Sequence, residues 1–334
     1  MFSKKKMVFL LSCLLVISMF LVGCGASDST SQSSSSGEQG EGASQSAGDK
    51  IVIGAALPDF DDKWLGYLQD GMREYEATLE GVEVIYVDAM NDANKQLSQI
   101  ENFISQKVDA IVMVPVDTVS AENMVDKANQ ADIPIIVVNR QYEGVDQASA
   151  YVGSESITAG IMEMEEVARM LDGKGNIAIM NGQMGHEAQI KRTEGNKEIM
   201  AKHSDMHIVL EGTGEWDRAK GMTLMENWLQ SGKEIDAVVA NNDEMAIGAI
   251  MALEAAGKLD DVIVAGVDAT PDALEFVKSG KLSVTVFQDA AGQGRGGIET
   301  ALKIVRGESV DKFVWIPYEL VTIENVEEYI KKWQ

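Results

Sequence analysis

The residues of this chain best suited to chemistry sit where apolar runs stop. "ALPDFDDKW", "YVDAMND", "MVPVDT", "VVNRQ", "IMNGQ", "VANNDE", "AGVDAT" and "VTVFQD" each begin apolar and run into polar residues such as Asp, Asn, Arg or Gln. One such stretch carries four consecutive polar residues, Asn241 to Glu244. Helix capping accounts for one or two of them, because Asn and Asp accept from the open N–H groups of a first turn and Glu suits its positive end. The repetition of the pattern asks for more. Carboxylates, amides and guanidinium groups supply many directed hydrogen bonds to hydroxyls. Trp64 closes the first of these stretches and Trp216 follows the apolar run at 208–210, and an indole face packs on the C–H face of a sugar-like ring. The composition is that of a polar cleft with aromatic walls.

The elements that would hold these residues follow from periodicity. Apolar runs occur at 51–57, 82–87, 110–114, 134–138, 177–180, 208–210, 237–240, 262–267 and 282–287. They are rich in Val and Ile and apolar at most positions, as strands of a parallel sheet covered on both faces should be. Helical patterns lie between them, at 96–105, 120–130, 159–171, 219–230, 244–256 and 272–278. Strand and helix in alternation predict a doubly wound α/β fold. In open sheets of that kind ligands bind outside the carboxyl ends of the strands, where the polar stretches fall. About nine units exceed one comfortable sheet, and the sequence predicts two lobes.

The chain opens with Lys4, Lys5 and Lys6, followed by an apolar run from 7 to 22. That run is short and close to the terminus, which fits a secretory signal better than a spanning helix. Leu21-Val22-Gly23-Cys24 resembles a bacterial lipobox. The expectation is a signal over 1–23 and a lipid-modified Cys24 as the membrane anchor. Residues 25–49 are Ser, Gly, Gln, Ala and Glu with few bulky apolar side chains. Such a stretch cannot repay its ordering entropy and predicts a tether over 24–49. The folded part then begins near Lys50 and holds about 285 residues.

Several function classes are disfavoured. Cys13 and Cys24 are the two cysteines, so the processed chain has no disulfide and no thiolate metal site. The net charge of −25 becomes −28 once the three leading lysines are removed, since no acid precedes Cys24. Nucleic acid would be repelled by such a surface. Residues 292–297 spell G-x-G-x-x-G, but the strand before them lies late in the chain, outside the early βαβ unit a dinucleotide site requires. No Walker A loop or G-x-S-x-G occurs. His186, His203 and His207 have neither Cys partners nor zincin spacing, and Asp205 between the last two reads as loop. The expectation is a non-enzyme without cofactor or metal.

Longer stretches carry a resemblance. "ANQADIPIIVVNRQ", "IKRTEGNKE", "EWDRAKGM", "VVANNDEMAIGAIMALEAAGK" and "VIVAGVDATPDAL" resemble, in collinear order from Ile51 to about Thr322, the ribose-type periplasmic sugar-binding proteins of ATP-driven importers. "VTVFQDAAGQG" followed by "VWIPYELVT" is similar to the subgroup that binds myo-inositol and rhizopines.

The resemblance implies two doubly wound lobes joined by three crossings, near Ser154/Glu155, Gln288/Asp289 and Ile316/Pro317. The lobes would be 50–154 with 289–316, and 155–288 with 317–334. It further implies a ligand site of Asp62, Trp64, Asn139, Arg140, Arg192, Trp216, Asn242, Asp268 and Gln288. In that reading Asp62 and Asp268 accept from hydroxyl pairs, the arginines donate and offset buried carboxylates, and the two Trp cover the ring faces. Capping is the plainer role for Asn242 and Asp268, and core packing for Trp216.

Departures from the ribose pattern are Asp62 and Val114 where the family has Asn, Leu65 where it has Phe, and a difference at Asn139. The expected ligand is therefore a neutral six-membered polyol, myo-inositol first, with a ribose, other pentose or hexose as the alternative. The implied partners are a small sugar or cyclitol and ABC permease subunits, with the chain a monomer held outside the cell membrane by lipid alone. A sensor feeding a receptor kinase is the rival within the fold. A sugar-responsive repressor would need a basic helix-turn-helix where this chain has its signal and tether.

Overall fold

The computed structural model describes residues 50–333. Cys24, the signal and the tether expected before Lys50 lie outside the described residues. The first sheet draws on β1 (Ile51–Leu57), β2 (Val82–Asp88), β3 (Ala110–Met113), β4 (Ile135–Val138), β5 (Ala150–Gly153) and β11 (Phe313–Trp315). The second contains β6 (Lys174–Asn181), β7 (Asp205–Thr213), β8 (Ala237–Ala240), β9 (Ile263–Ala265), β10 (Val284–Phe287) and β12 (Glu319–Thr322). The helices are α1 (Lys63–Glu76), α2 (Ala93–Gln106), α3 (Thr118–Gln130), α4 (Ser156–Met170), α5 (Glu187–Met200), α6 (Arg218–Gln230), α7 (Asp243–Ala255), α8 (Pro271–Lys278), α9 (Ala290–Val305) and α10 (Val326–Lys332).

The strand orders are β11-β5-β4-β3-β1-β2 and β12-β10-β9-β8-β6-β7. Both are the same winding: the first strand of each lobe pairs with its second on one side and its third on the other. That reversal opens a crevice at the carboxyl ends. All pairings are parallel except β10 with β12. The expected two-lobed α/β fold is observed. The antiparallel β12 departs from it: the chain leaves β11 at the carboxyl end of the first sheet and enters the second sheet at the carboxyl end of β10, so β12 runs against its neighbour. Between β5 and α4, between β10 and α9, and between β11 and β12, the chain passes from one sheet to the other or its covering helices.

β3, β4, β5, β8 and β10 are buried along their whole length, which is why they are almost wholly apolar, Thr285 of β10 being the polar exception. The edge strand β7 differs. It spans nine residues where the apolar run covered three, and Asp205, expected in a loop, is its first residue. An edge strand pairs on one side only, here with β6, and its solvent face keeps Asp205, His207 and Glu211. The G-x-G-x-x-G residues lie inside α9. Gly294 there abuts the Leu68 carbonyl of α1, so the motif serves helix packing and not a phosphate loop. Gly160 of α4 and Gly195 of α5 likewise let those two backbones touch, Gly160 against the carbonyl of Arg192.

Capping explains much of the strand-end polarity. Asp62, Asp92, Asp117, Asp217, Asn242, Thr270 and Asp289 each accept a first-turn N–H of the following helix. The cap of α8 is Thr270, leaving the Asp268 carboxylate without that role.

Candidate functional site

All nine residues expected at the site line one cavity of about 430 Å³, a size within the roughly 300–1,000 Å³ typical of small-molecule sites. The first lobe contributes Asp62 and Trp64 after β1, and Asn139 and Arg140 after β4. The second contributes Arg192 on α5, Trp216 after β7, Asn242 after β8 and Asp268 after β9. Gln288 follows β10, in a crossing.

Three of the nine are non-glycine residues with positive φ: Asn139 at 66°, Trp216 at 67° and Asp268 at 127°. Such conformations cost energy and persist only where surrounding contacts impose them. Asn139 is fixed from both sides, its Nδ2 donating to Gln293 Oε1 at 3.0 Å and its carbonyl accepting from Tyr151 at 2.7 Å. The Trp216 ring lies over Gly182, where any Cβ would collide with it, and meets the His186 ring edge-on at 5.3 Å between centroids.

Arg192 is the best-connected cation of the site. It is 4% exposed. Nη1 donates to the Asn241 carbonyl at 2.6 Å, and Nη2 to Gln288 Oε1 at 2.7 Å and Tyr318 Oη at 3.2 Å. Its Nη1 lies 3.8 Å from Asp268 Oδ1, a charge contact and not a hydrogen bond. Burial pulls its pKa down, but Tyr318 and Asp268 reverse that and the net shift is upward. Because Gln288 spends its oxygen on Arg192, its amide N–H groups are left to face the cavity.

Asp268 is 4% exposed and accepts no hydrogen bond among the described residues. Burial pushes its pKa well up, with Arg192 opposing and Asp243 adding to the rise. A buried carboxylate in that position is costly until donors reach it. Asp62 is also raised by burial, against its bond from Leu65 N (2.9 Å) and the nearby Arg140 charge. The expected offset of Asp62 by Arg140 is not an ion pair. Arg140 Nη1 donates instead to the carbonyls of Pro115 and Val116, each at 2.8 Å, and burial lowers its pKa. Trp64 Nε1, Arg140 Nε and Arg192 Nε are buried donors without a partner among the described residues. Asn242 both caps α7 and donates from Nδ2 to the Trp216 carbonyl at 3.3 Å.

The same cavity includes residues that the sequence did not assign to the site: Lys63, His186, Glu215, Arg218 and Glu244 among them. His186 is kept neutral by burial and by the charges of Arg140 and Arg192, and its Nδ1 accepts from Ala188 N at 3.2 Å. Lys63 and Arg218 both contact Glu244 and Asp272. A cation directly after the Asp62 cap was the one available signal. Among the described residues no cluster of three or more His, Cys, Asp or Glu is placed to hold a metal ion, and no helix is long and apolar enough to cross a membrane.

Comparison with known proteins bears on this geometry. The family model of the periplasmic binding protein domain matches residues 53–309. The chain belongs to that family. A Rhizobium meliloti protein assigned to rhizopine binding is 45% identical over 284 residues, covering 83% of this chain and 92% of its own. The ribose import binding protein of Bacillus subtilis strain 168 is 34% identical over 273 residues, 82% of this chain and 88% of its own. Among solved structures, an ABC transporter solute binding protein from Bacillus halodurans C-125, with bound myo-inositol, superposes with a TM-score of 0.83. It is 59% identical and covers 85% of this chain and 98% of its own.

Proposed function

We propose that this chain is the extracytoplasmic solute-binding component of an ABC importer. It captures a neutral six-membered polyol, myo-inositol foremost, between its two lobes and hands it to a permease. The observation that carries the reading is the convergence of Asp62, Asn139 and Arg140 from one lobe with Arg192, Asn242 and Asp268 from the other on one cavity. A cyclitol bears a hydroxyl on every ring carbon and offers donors around its whole perimeter. The two carboxylates accept from opposite sides, the arginines and the Gln288 amide donate back, and the indoles of Trp64 and Trp216 cover the faces. The 59% identical structure holding myo-inositol supports that choice of ligand, and the 34% identical ribose binder supports a pentose as second choice.

The lobes are assigned as 50–154 with 289–316 and 155–288 with 317–334, hinged at the three crossings. The reading assigns capture and delivery, not catalysis, and a monomer. Cys24, lipid-modified after removal of 1–23, holds the protein at the membrane. Fractionation tests that anchor: Cys24→Ala should leave the membrane fraction, and full retention of a variant whose signal has been cleaved would refute it.

A thermal-shift screen over cyclitols, pentoses, hexoses and acyclic polyols tests the ligand class. A true ligand at about 100 times its Kd stabilises the fold by about 2.7 kcal/mol. Myo-inositol should give the largest shift, and a flat response across the set would defeat the proposal.

A further inference from the structure

The mouth of the cavity is crossed by a group of four charges. Lys63, the first residue of α1 in the first lobe, reaches the second lobe with Nζ 3.1 Å from Glu244 Oε1 and 2.6 Å from Asp272 Oδ2. Both carboxylates are held in place from their own side by Arg218, which grips Glu244 in a fork at 2.8 and 2.9 Å and reaches Asp272 at 3.1 Å. Every other ion pair among the described residues joins groups of one lobe. Lys63 is thus the one charged tie between lobes in that set.

The position of Lys63 is poor for its own helix. The N-terminus of α1 carries the positive end of the helix dipole, where a cation is unfavourable. Glu244 and Asp272 occupy the first turns of α7 and α8, where acids are favoured. An arrangement that costs α1 something is repaid only when α7 and α8 stand opposite. Hydrogen bonds from Lys63 and the neighbouring charges hold the Asp272 carboxyl below its usual range, against some burial. One turn further along α1, the Tyr67 ring meets Trp333 of the second lobe at 4.6 Å between centroids. Asp62, Lys63 and Trp64 are consecutive, so the residue that crosses to the other lobe is flanked by one that accepts from the ligand and one that walls it.

We infer that Lys63 is an affinity-setting residue that acts from the rim: it latches the closed lobes through Glu244 and Asp272 without contributing to recognition of the ligand. The inference rests on the binding reading above. A contact made only in one conformation shifts the population toward it, and here it would slow the escape of ligand. A neutral polyol carries no charge to be screened, so a salt-dependent affinity reports the latch and not the ligand's own bonds.

The test compares wild type, Lys63→Gln and Lys63→Arg with myo-inositol and one deoxy-inositol. Calorimetry gives the affinities and stopped-flow Trp fluorescence the dissociation rates, at about 0.05 M and about 1 M salt, where screening lengths fall from well above 10 Å to about 3 Å. Lys63→Gln should weaken both ligands by about three- to tenfold, the range expected for one or two partly exposed pairs. The loss should lie in a faster dissociation rate, and high salt should weaken wild type but not Lys63→Gln. Lys63→Arg should recover most of the affinity. Equal affinity and dissociation rate for wild type and Lys63→Gln at both salts would overturn the latch alone. A change in the ratio between the two ligands would overturn it in favour of direct recognition by Lys63. If wild type binds neither, the binding reading falls and takes the latch with it.

Discussion

On the proposed reading, Asp268 and Arg192 illustrate how a side chain is made ready for a ligand. Asp268 is buried, lacks hydrogen bonds from the described residues, and is held at a φ of 127° that few residues tolerate. Its one strong neighbour, Arg192, is 3.8 Å away and already serves Asn241, Gln288 and Tyr318. This carboxylate gains most when hydroxyl donors arrive, and the buried Arg192 Nε gains an acceptor. Asp268→Ala and Arg192→Ala should each weaken polyol binding at least tenfold, about 1.4 kcal/mol. Circular dichroism should show both variants folded, and wild-type affinity in either would remove that residue from the site. A ligand lacking one hydroxyl should suffer similarly, because a buried charged group then loses its partner at a cost of about 1–3 kcal/mol or more.

Of these two side chains Arg192 is set by a helix, through the packing of α4 on α5. Gly160 and Gly195 bring the two backbones together. Beside them Glu163 of α4 is fully buried, accepting from Asn196 Nδ2 at 3.1 Å through one oxygen while the other has no partner among the described residues. Burial raises its pKa from 4.5 to about 8, with Asn196 and Arg192 opposing. The folded state therefore keeps this proton between about pH 4.5 and about 8, while the unfolded chain gives it up. The stability it confers is fully present below about 4.5 and drains away as the pH rises to about 8. Glu163→Gln mimics the protonated form. Its melting temperature should match wild type near pH 4.5 and exceed it above pH 8, by the equivalent of a few kcal/mol. Parallel melting curves across that range would show Glu163 ionised in the fold.

How much of this was legible beforehand depended on burial. Strands covered on both faces read directly as Val/Ile runs, and the nine runs all correspond to strands. β5 was missed although buried, because Tyr151 and Gly153 interrupt its Val/Ile pattern, and β11 and β12 because they are three or four residues long and only partly buried. The true span of β7 was hidden because its solvent face carries charge. Polar strand ends were visible, but composition could not divide caps from cavity walls: Asp92 and Asp117 only cap, while Asp62 and Asn242 do both. Lys63 and Arg218 went unnoticed because charges on amphipathic helices usually face solvent, Glu244 was read only as an acid at a helix start, and it takes the apposition of two lobes to give Lys63 its partners.

The whole molecule joins these parts by placing two copies of one winding face to face, so that carboxyl ends from both sheets border a single cavity. Neither lobe alone surrounds a ring; each supplies a carboxylate, an arginine and an indole. That division predicts a ligand with hydroxyls around its full perimeter, and it separates a cyclitol from a furanose. Calorimetric titration of the purified domain with myo-inositol and with ribose tests this most directly. Myo-inositol should bind with a micromolar or tighter Kd, about −8 kcal/mol or better, and ribose at least tenfold more weakly. Micromolar ribose binding with no heat from myo-inositol, or no heat from either, would contradict the account.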